Sequence, residues 1–296
     1  MNLIAGKLHV STITAVARIN CDIDLRLLFE NIKIDDYVQY IQQGNDNYKG
    51  FSEKLLKKKR KNKTKTSFYN CCTIHINENM DIYCNCPRGL KEGDTFEKLI
   101  GGKKTKLTVN EMNGDNKFKI NLDKIINVKI FNNGKVQITG LKYEGQGVGI
   151  IKNLIQIMKD NQIIEKHDVE MEDYRIVLIN CDFELPHEIE RYKLHEEITQ
   201  NNYYSSYEPC SYPGVNIKYY INTTNDNGIC NCETMCNGKG KGIGDGDCKR
   251  VTIAVFKSGS IIITGGQNVE QILKSYNFIT DFIKGHDGIR KEISIN

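Results

Sequence analysis

The chain has 296 residues, 39% of them hydrophobic and 26% charged, and its 41 Lys and Arg residues against 37 Asp and Glu residues give a formal net charge of +4. No apolar run approaches the roughly 20 residues that a membrane-spanning helix needs, and the first residues lack the continuous apolar stretch of a secretory signal. The composition therefore excludes a membrane protein, and we expect an intracellular soluble one. The net charge is too small to indicate a nucleic-acid partner by itself.

An internal repeat is the strongest organisational signal. Near the end of each half, in residues 128–159 and 252–284, the pattern predicts a strand, a tight turn, a second strand and a helix. The matched positions are Phe131 with Phe256, Gly134 with Gly259, and Thr139-Gly140 with Thr264-Gly265.

The repeated segment predicts a sheet with one face covered by helices. Asn133-Gly134 and Ser258-Gly259 supply the positive φ that a hairpin turn needs, and apolar residues alternate with period two after each turn. The following helices carry apolar stripes. These stripes are Val148, Ile151, Ile155 and Met158 in the first copy, and Val269, Ile272, Tyr276, Ile279 and Ile283 in the second.

A second repeated motif lies near the start of each half. Ile19-Asn20-Cys21-Asp22 recurs as residues 179–182, each time before a helical pattern, and Pro186 is typical of a helix start in the second copy. Each half thus reads strand, helix, several strands, helix. This order predicts an α+β protein with helices on one side of an antiparallel sheet.

These motifs resemble the TATA-box-binding protein (TBP) family. The resemblance rests on IFNNGKVQITG and VFKSGSIIITG at matching places and on SSYEPCSYPGVNIKYY at residues 205–220. It implies two tandem TBP-like repeats that form a saddle, a curved antiparallel sheet with helices on the convex face. The repeats span residues 8–160, with an insertion at about 77–126, and residues 172–286, with a Cys- and Gly-rich insertion at about 223–249. The style of the sequence suggests a diverged member like those of large DNA viruses.

The resemblance implies binding in the DNA minor groove, where two aromatic rings from each repeat wedge into base steps. A wedged ring offsets the cost of unstacking through its own stacking and through the extra surface that the bend brings into contact. By motif, the intercalating residues are Phe131 and Phe256 at the turns, Tyr212 before Pro213-Gly214, and Phe68. From periodicity alone, Phe131 and Phe256 could equally pack beneath their turns.

The groove face between the wedges should be apolar and lightly hydroxylated, because the minor groove distinguishes little beyond A·T from G·C. Thr139, Ile262 and Thr264 fit this demand, whereas Gln137 departs from it. The family reads the centre of its site with two asparagines. This chain has Ile176 at one such position and Thr12 or Leu8 at the other, so we expect binding to deformable A/T-rich DNA without strict recognition of a TATA sequence.

Basic residues are candidate phosphate contacts. Lys58, Lys59 and Arg60 lie in the run KLLKKKRKNKTK ahead of Phe68, and each phosphate that such a run neutralises makes affinity more dependent on salt. The run could equally be a nuclear-import signal or a solvated charged loop. Lys135, directly after the first turn, is a phosphate contact by resemblance.

Four cysteines of the second insertion form a candidate metal site. Cys230, Cys232, Cys236 and Cys248 could hold a tetrahedral structural zinc, which would close a loop otherwise too long to order. Their spacing is not a standard zinc pattern, and free thiols are the alternative. No cofactor is required by the function that the resemblance implies.

The resemblance implies a transcription initiation factor, not an enzyme, that bends A/T-rich promoter DNA and recruits a B-type initiation factor and RNA polymerase. Glu208 matches the position that contacts the B-type factor. The alternative is an adapter that keeps the TBP fold for protein interactions and has lost sequence-specific DNA binding. We expect an intracellular location, in the nucleus or in a cytoplasmic viral factory.

Overall fold

The computed structural model describes residues 6–44, 47–50, 70–85, 95–100, 103–108, 117–165 and 168–291. Its internal contacts divide the chain into two compact units. The larger unit comprises Met1–Ile19, Gln137–Leu154 and Glu170–Asn296, and the smaller unit comprises Asn20–Val136 and Ile155–Val169. These units cut through a strand and a helix of the first repeat, so they are not the repeats themselves, and the repeat boundaries stay a prediction.

The described residues form four α-helices and fifteen strands. The helices are α1 (Leu25–Asn31), α2 (Gln146–Asp160), α3 (Arg191–Gln200) and α4 (Val269–Gly285), and a 3-10 turn follows at Asp287–Ile289. The strands of the first half are β1 (His9–Ile19), β2 (Val38–Gln43), β3 (Asn47–Gly50), β4 (Cys71–Asn85), β5 (Thr95–Ile100), β6 (Lys103–Thr108), β7 (Lys117–Phe131) and β8 (Lys135–Leu141). Those of the second half are β9 (Met171–Glu184), β10 (Glu188–Ile189), β11 (Tyr204–Ser206), β12 (Val215–Ile221), β13 (Lys249–Val255), β14 (Ser260–Gly266) and β15 (Arg290–Lys291).

The sheet of the larger unit has the hydrogen-bonded order β11-β12-β13-β14-β9-β1-β8. From β11 to β1 every neighbouring pair is antiparallel. Helix α4 packs against β13, β14 and β9, while α3 packs against β11 and β12. Sheet and helices in this arrangement confirm the predicted α+β class, and they agree with a TBP-like fold.

The predicted stripe of α4 is confirmed except at its first residue. Ile272, Ile279 and Ile283 are buried and Tyr276 is half-buried, whereas Val269 is 51% exposed. Val269 is the first residue of the helix after the N-cap Asn268, whose side chain accepts a hydrogen bond from the backbone N–H of Gln271. The first helical position thus lies at the N-terminal end of the helix, where its side chain is exposed.

The smaller unit contains a sheet of order β7-β4-β2-β3. Strands β4 and β7 pair without a break from Cys71–Phe131 to Asn85–Lys117. The first insertion therefore continues the two strands that flank it, and β5 and β6 form a separate two-stranded sheet within it. Helix α1 packs on β2 and β4.

The repeat is visible in backbone conformation. Gly134 and Gly259 have φ of 76° and 85°, and each donates its N–H to the carbonyl of the aligned phenylalanine at 3.1 Å. Gly140 and Gly265, which end the two aligned Thr-Gly pairs, have φ of 102° and 105°. Left-handed values like these favour glycine, since it has no Cβ. The predicted tight turns are confirmed in both halves.

Two buried glutamines make the same hydrogen bond at matching places in the two halves. Gln146 accepts a hydrogen bond from the backbone N–H of Lys142 through Oε1 at 2.8 Å, and Gln271 accepts one from Gln267 in the same way at 2.8 Å. The two side chains are 3% and 7% exposed. Each bond ties the start of α2 or α4 to the end of the strand before it.

The helix predicted to start at Pro186 begins later, at Arg191. Glu188 and Ile189 instead pair with Lys291 and Arg290 as β10 and β15. The backbone groups of this segment are bonded to a distant strand, so they are not available for the first turn of a helix.

No helix in the described part of the chain combines the length and the apolarity needed to cross a membrane.

Candidate nucleic-acid interface

Two of the predicted intercalating rings lie together in the larger unit. Tyr212 precedes β12 and Phe256 follows β13, and their ring centroids are 5.8 Å apart at an interplanar angle of 60°. We call Tyr212 and Phe256 the wedge pair. Neither ring is buried, since Tyr212 is 38% exposed and Phe256 is half-buried. A pair of accessible rings at a strand end is the arrangement needed to enter a base step.

Gly214 lies next to both rings of the wedge pair. A Cβ added there would lie 2.8 Å from Cε1 of Tyr212 and 3.1 Å from Cε1 of Phe256. The chain before it is held by Arg191, whose guanidinium donates to the carbonyl of Pro213 and stacks over the Tyr207 ring at 5.3 Å. The absence of a side chain at position 214 lets the two rings approach each other.

The other two predicted wedges are described only in part. Phe131 lies in the smaller unit at the end of β7, where it is half-buried and pairs with Cys71. Phe68 lies outside the described residues, as do the phosphate candidates Lys58, Lys59 and Arg60. Lys135, the remaining phosphate candidate, is exposed directly after the Gly134 turn.

The predicted groove residues alternate with buried ones along their strands. On β14, Ile261 and Ile263 are buried, Ile262 is 37% exposed and Thr264 is half-buried. On β8, Gln137 and Thr139 are half-buried, and Val136 and Ile138 are buried. Successive side chains of a strand point to opposite faces of the sheet. Ile262 and Thr264 therefore lie on the more accessible face of β14, and Gln137 and Thr139 on that of β8.

Asn180, which the motif comparison did not select, lies in the middle of this face. It pairs with Thr12 on one side and with Thr264 on the other, and its Oδ1 accepts a hydrogen bond from the Thr264 hydroxyl. Ile176, the position where the family would place an asparagine, pairs with Ala15. The amide of Asn180 reaches this position through the pairing of β9 with β1 and β14, which a sequence alignment does not reveal.

Charged residues lie on the same face. Lys218 on β12 donates to the hydroxyl of Thr252 at 3.0 Å, and the next pair on the same face of the ladder is Tyr220 with Arg250. Burial, together with the charge of Arg250, lowers the pKa of Lys218 below its ordinary value. A phosphate placed between the two cations would relieve this repulsion. Neither residue was among the predicted phosphate contacts, although the alternation of β12 and β13 places both on the accessible face.

An acidic group also lies on this face. Asp182, on β9, pairs with Ile262, and its carboxylate accepts a hydrogen bond from the hydroxyl of Ser11. His9 Nδ1 lies 3.4 Å from the same carboxylate. A carboxylate repels DNA phosphates, so Asp182 works against DNA binding at this face.

Glu208 lies in the loop that leads to the wedge pair. Its side chain is exposed, and its carbonyl accepts hydrogen bonds from the N–H groups of Ser211 and Tyr212, both at 2.9 Å. The loop is thus ordered by its own backbone, and the side chain of Glu208 is exposed.

The four cysteines predicted as a metal site come together in the structure. The Sγ atoms of Cys230, Cys232, Cys236 and Cys248 all lie within 4.8 Å of one another. We call these residues the cysteine cluster. Cys232 and Cys248 are 3.4 Å apart, and Asn222 donates from Nδ2 to the Cys248 sulfur at 3.3 Å. Burial raises the pKa of the Cys248 thiol to about 12, and a bound cation would counter this by stabilising the thiolate. The cluster can hold a metal ion.

Comparison with known proteins agrees with the resemblance. Residues 173–286 match the family model described as "Transcription factor TFIID (or TATA-binding protein, TBP)". A curated protein of Acanthamoeba polyphaga mimivirus, described as "TATA-box-binding protein-like", is 26% identical over 292 residues, and the match covers 92% of this chain. The chain spans 64% of the length of that relative.

The solved structure of Methanococcus jannaschii TBP is also similar to this chain. The TM-score is 0.47 with 15% sequence identity, over 95% of this chain and 99% of the archaeal one. The family resemblance does not rest on this comparison, since the family-model match and the viral relative both stand without it. The second half of the chain is thus similar to the TBP family, and the chain as a whole is similar to a TBP-like protein of a mimivirus.

Proposed function

We propose that this protein binds A/T-rich DNA through the minor groove and bends it, with the accessible sheet face against the groove. The observation that carries the proposal is the wedge pair, Tyr212 and Phe256, at the end of β12 and β13. The accessible face of the adjoining strands β14 and β9 carries Ile262, Thr264 and Asn180. Phe131 and Phe68 form the equivalent pair of the first repeat in this proposal. The chain acts as a DNA-binding factor rather than as an enzyme.

Groove recognition in this proposal depends on shape and on a few polar contacts. Asn180 and Thr264 carry an amide and a hydroxyl that can approach the acceptors on A·T base edges. Lys218, Arg250 and Lys135 bind the flanking phosphates. Since the family's two asparagine positions hold other residues here, we expect selection of A/T-rich, easily kinked steps instead of one fixed sequence.

Recruitment is the second part of the proposal. The bent complex presents Glu208 to a B-type initiation factor, which brings RNA polymerase to the promoter. Cys210 and Ser211 stand beside Glu208 where the family has an acidic and an apolar residue, so the partner has to be correspondingly diverged. The protein acts in the nucleus or in a cytoplasmic viral factory.

The cysteine cluster adds a structural Zn²⁺ to the proposal. Four thiolates in a tetrahedral set are the ligands that zinc prefers in structural sites. When bound, the ion would supply a cross-link between loop and strand, and it takes no part in the contact with DNA.

A protein-interaction adapter is the second candidate, and Asp182 favours it. A carboxylate on the accessible face costs energy against phosphates but suits a basic protein partner. Salt distinguishes the two functions, because displaced counterions make DNA affinity fall steeply with salt concentration. An adapter shows no such slope.

The experiment is a duplex-bending assay by fluorescence energy transfer on A/T-rich DNA. Wild type should bend the duplex, and the double variant Phe131→Ala/Phe256→Ala should lose most of the bending. Tyr143→Ala is the matched control, since Tyr143 is an exposed aromatic outside the strands. Equal bending by the double variant and the control would remove the wedge assignment, and no binding by wild type at low salt would favour the adapter.

A further inference from the structure

The wedge pair and the cysteine cluster lie at opposite ends of the same two strands. Strands β12 and β13 pair from Val215–Val255 to Ile221–Lys249. Tyr212 and Phe256 flank the first of these pairs, whereas Cys248 directly precedes Lys249. An interaction that holds the cysteine end of β12 and β13 therefore also fixes which residues pair at the end that carries the two rings.

The connection between the two strands cannot by itself fix their register. In a short hairpin the turn determines which residues pair. Here the connection is residues 222–248, which contain turns and the isolated bridges Asn222–Asn225 and Lys239–Lys249 but none of the named helices or strands. A loop of this length without elements of its own requires another constraint to become ordered.

The cysteine cluster supplies that constraint at both strand ends. Cys230, Cys232 and Cys236 belong to the loop, while Cys248, 1% exposed, adjoins β13. Asn222, which adjoins β12 and is 5% exposed, donates from Nδ2 to the Cys248 sulfur and, at 2.6 Å, to the carbonyl of Gly244. One ion bound to the four sulfurs would thus close the loop directly across the ends of β12 and β13.

The loop also bonds to the strands on either side of the cluster. Gly240 donates its N–H to the carbonyl of Cys248 at 3.0 Å, and Arg250 donates to Gly238 at 2.9 Å. At Gly228, whose φ is 81°, an added Cβ would lie 2.1 Å from the Tyr219 ring, so the loop lies directly on β12. These contacts require the loop to hold one conformation, which four unlinked thiols do not enforce.

We propose that the cysteine cluster is a metal-dependent clasp that sets the β12–β13 register and thereby places Tyr212 against Phe256. The metal is Zn²⁺ or another ion that prefers thiolates. This inference rests on the proposed function for its consequence, which is that DNA bending at the second repeat depends on metal. The existence of the clasp does not depend on DNA.

Metal binding is tested first, without DNA. The protein, purified under reducing conditions with Zn²⁺, should contain one zinc per chain by elemental analysis, and Co²⁺ should replace it with the visible absorption of a tetrahedral thiolate site. Cys232→Ser/Cys236→Ser should abolish both signals, whereas Cys210→Ser, at an exposed cysteine outside the cluster, should leave them unchanged. A wild type that retains neither zinc nor cobalt overturns the clasp.

Hydrogen exchange then tests the register. Removing zinc from wild type with a chelator should make amide exchange in β12 and β13 about tenfold faster or more, and readdition of Zn²⁺ should reverse this. Exchange in β4, which lies in the other unit, should not change. Chelation avoids dependence on whether the double cysteine variant folds. If the protein binds metal but amide exchange in β12 and β13 does not change, the proposal that the metal sets the strand register is overturned.

The bending assay separates this inference from the proposed function. Zinc-loaded wild type should bend A/T-rich DNA, and the chelated protein should bend it no more than Phe256→Ala does. Equal bending with and without zinc overturns the metal dependence while the DNA-binding function stands. Failure of the zinc-loaded protein to bend DNA, with exchange still zinc-dependent, contradicts the DNA-binding function and leaves the clasp supported.

Discussion

Tyr212 and Phe256 both lie next to Gly214, because each ring borders the position that a side chain at residue 214 would occupy. Tyr212 comes shortly before β12 and Phe256 directly after β13, and the pairing of Val215 with Val255 brings the two rings together. The distance between the rings is therefore set by backbone register and by the size of one residue.

Gly214→Ala should separate the wedge rings. The new methyl group would lie 2.8 Å from the Tyr212 ring, so at least one ring has to move, and overpacking of this kind costs about 1–3 kcal/mol. We expect reduced bending in the energy-transfer assay and a lower thermal midpoint. Gly145→Ala is the control, since nothing lies within 4 Å of its added Cβ. Equal effects of both substitutions would show that Gly214 has no special role.

Tyr212 should act through its ring and not through its hydroxyl. Tyr212→Phe keeps the surface that stacks on a base step, so its bending should match wild type. Tyr212→Ala removes that surface and should weaken binding to A/T-rich DNA by about 1–3 kcal/mol, the usual value for loss of a stacked ring. Fluorescence anisotropy at constant salt measures both. A loss of binding in Tyr212→Phe would assign the function to the hydroxyl.

Lys218 and Arg250 should contribute to the salt dependence of DNA binding. Each cation that contacts a phosphate adds about 0.9 to the slope of log affinity against log salt, so Lys218→Gln and Arg250→Gln should each reduce the slope by about that amount. The loss should be similar for all DNA sequences. Lys284→Gln, at the exposed end of α4, serves as the control. An unchanged slope in both test variants would exclude them as phosphate contacts.

Gln271→Ala should destabilise the larger unit. The substitution leaves the N–H of Gln267 without its 2.8 Å acceptor in a site where the glutamine is 7% exposed. Loss of a buried partner costs about 1–3 kcal/mol, which urea denaturation can measure. Glu270→Ala is the control, since the Glu270 carboxylate is exposed and its ion pair with Lys274 contributes little. A similar loss of stability in both variants would mean that the buried hydrogen bond is not the cause.

The sequence predicted best those features that depend on local chemistry. The turns at Gly134 and Gly259 need a positive φ that few other residues adopt, so two glycines at matched positions were sufficient to place them. The alternation of Ile261 to Thr264 likewise assigned both faces of β14, because the period of a strand does not depend on its neighbours.

Features that arise from pairing between strands far apart in the chain could not be predicted from the sequence. Asn180 meets Thr12 and Thr264 only because β9 lies between β1 and β14. The helix start at Arg191 was misjudged for the same reason, since β15, far along the chain, captures the backbone after Pro186. The cysteine cluster is an intermediate case: the residues were identified correctly as a group, but their uneven spacing gave no indication that the loop folds back on its own strands.

Gln146 and Gln271 show what the duplication has preserved. They hold the same bond in two copies whose other residues differ widely, and neither belongs to the surface assigned to DNA. The hydrogen bond that joins each strand to the following helix is therefore common to the two halves, whereas the insertions and the charge at the position after each turn, Lys135 or Ser260, differ between them.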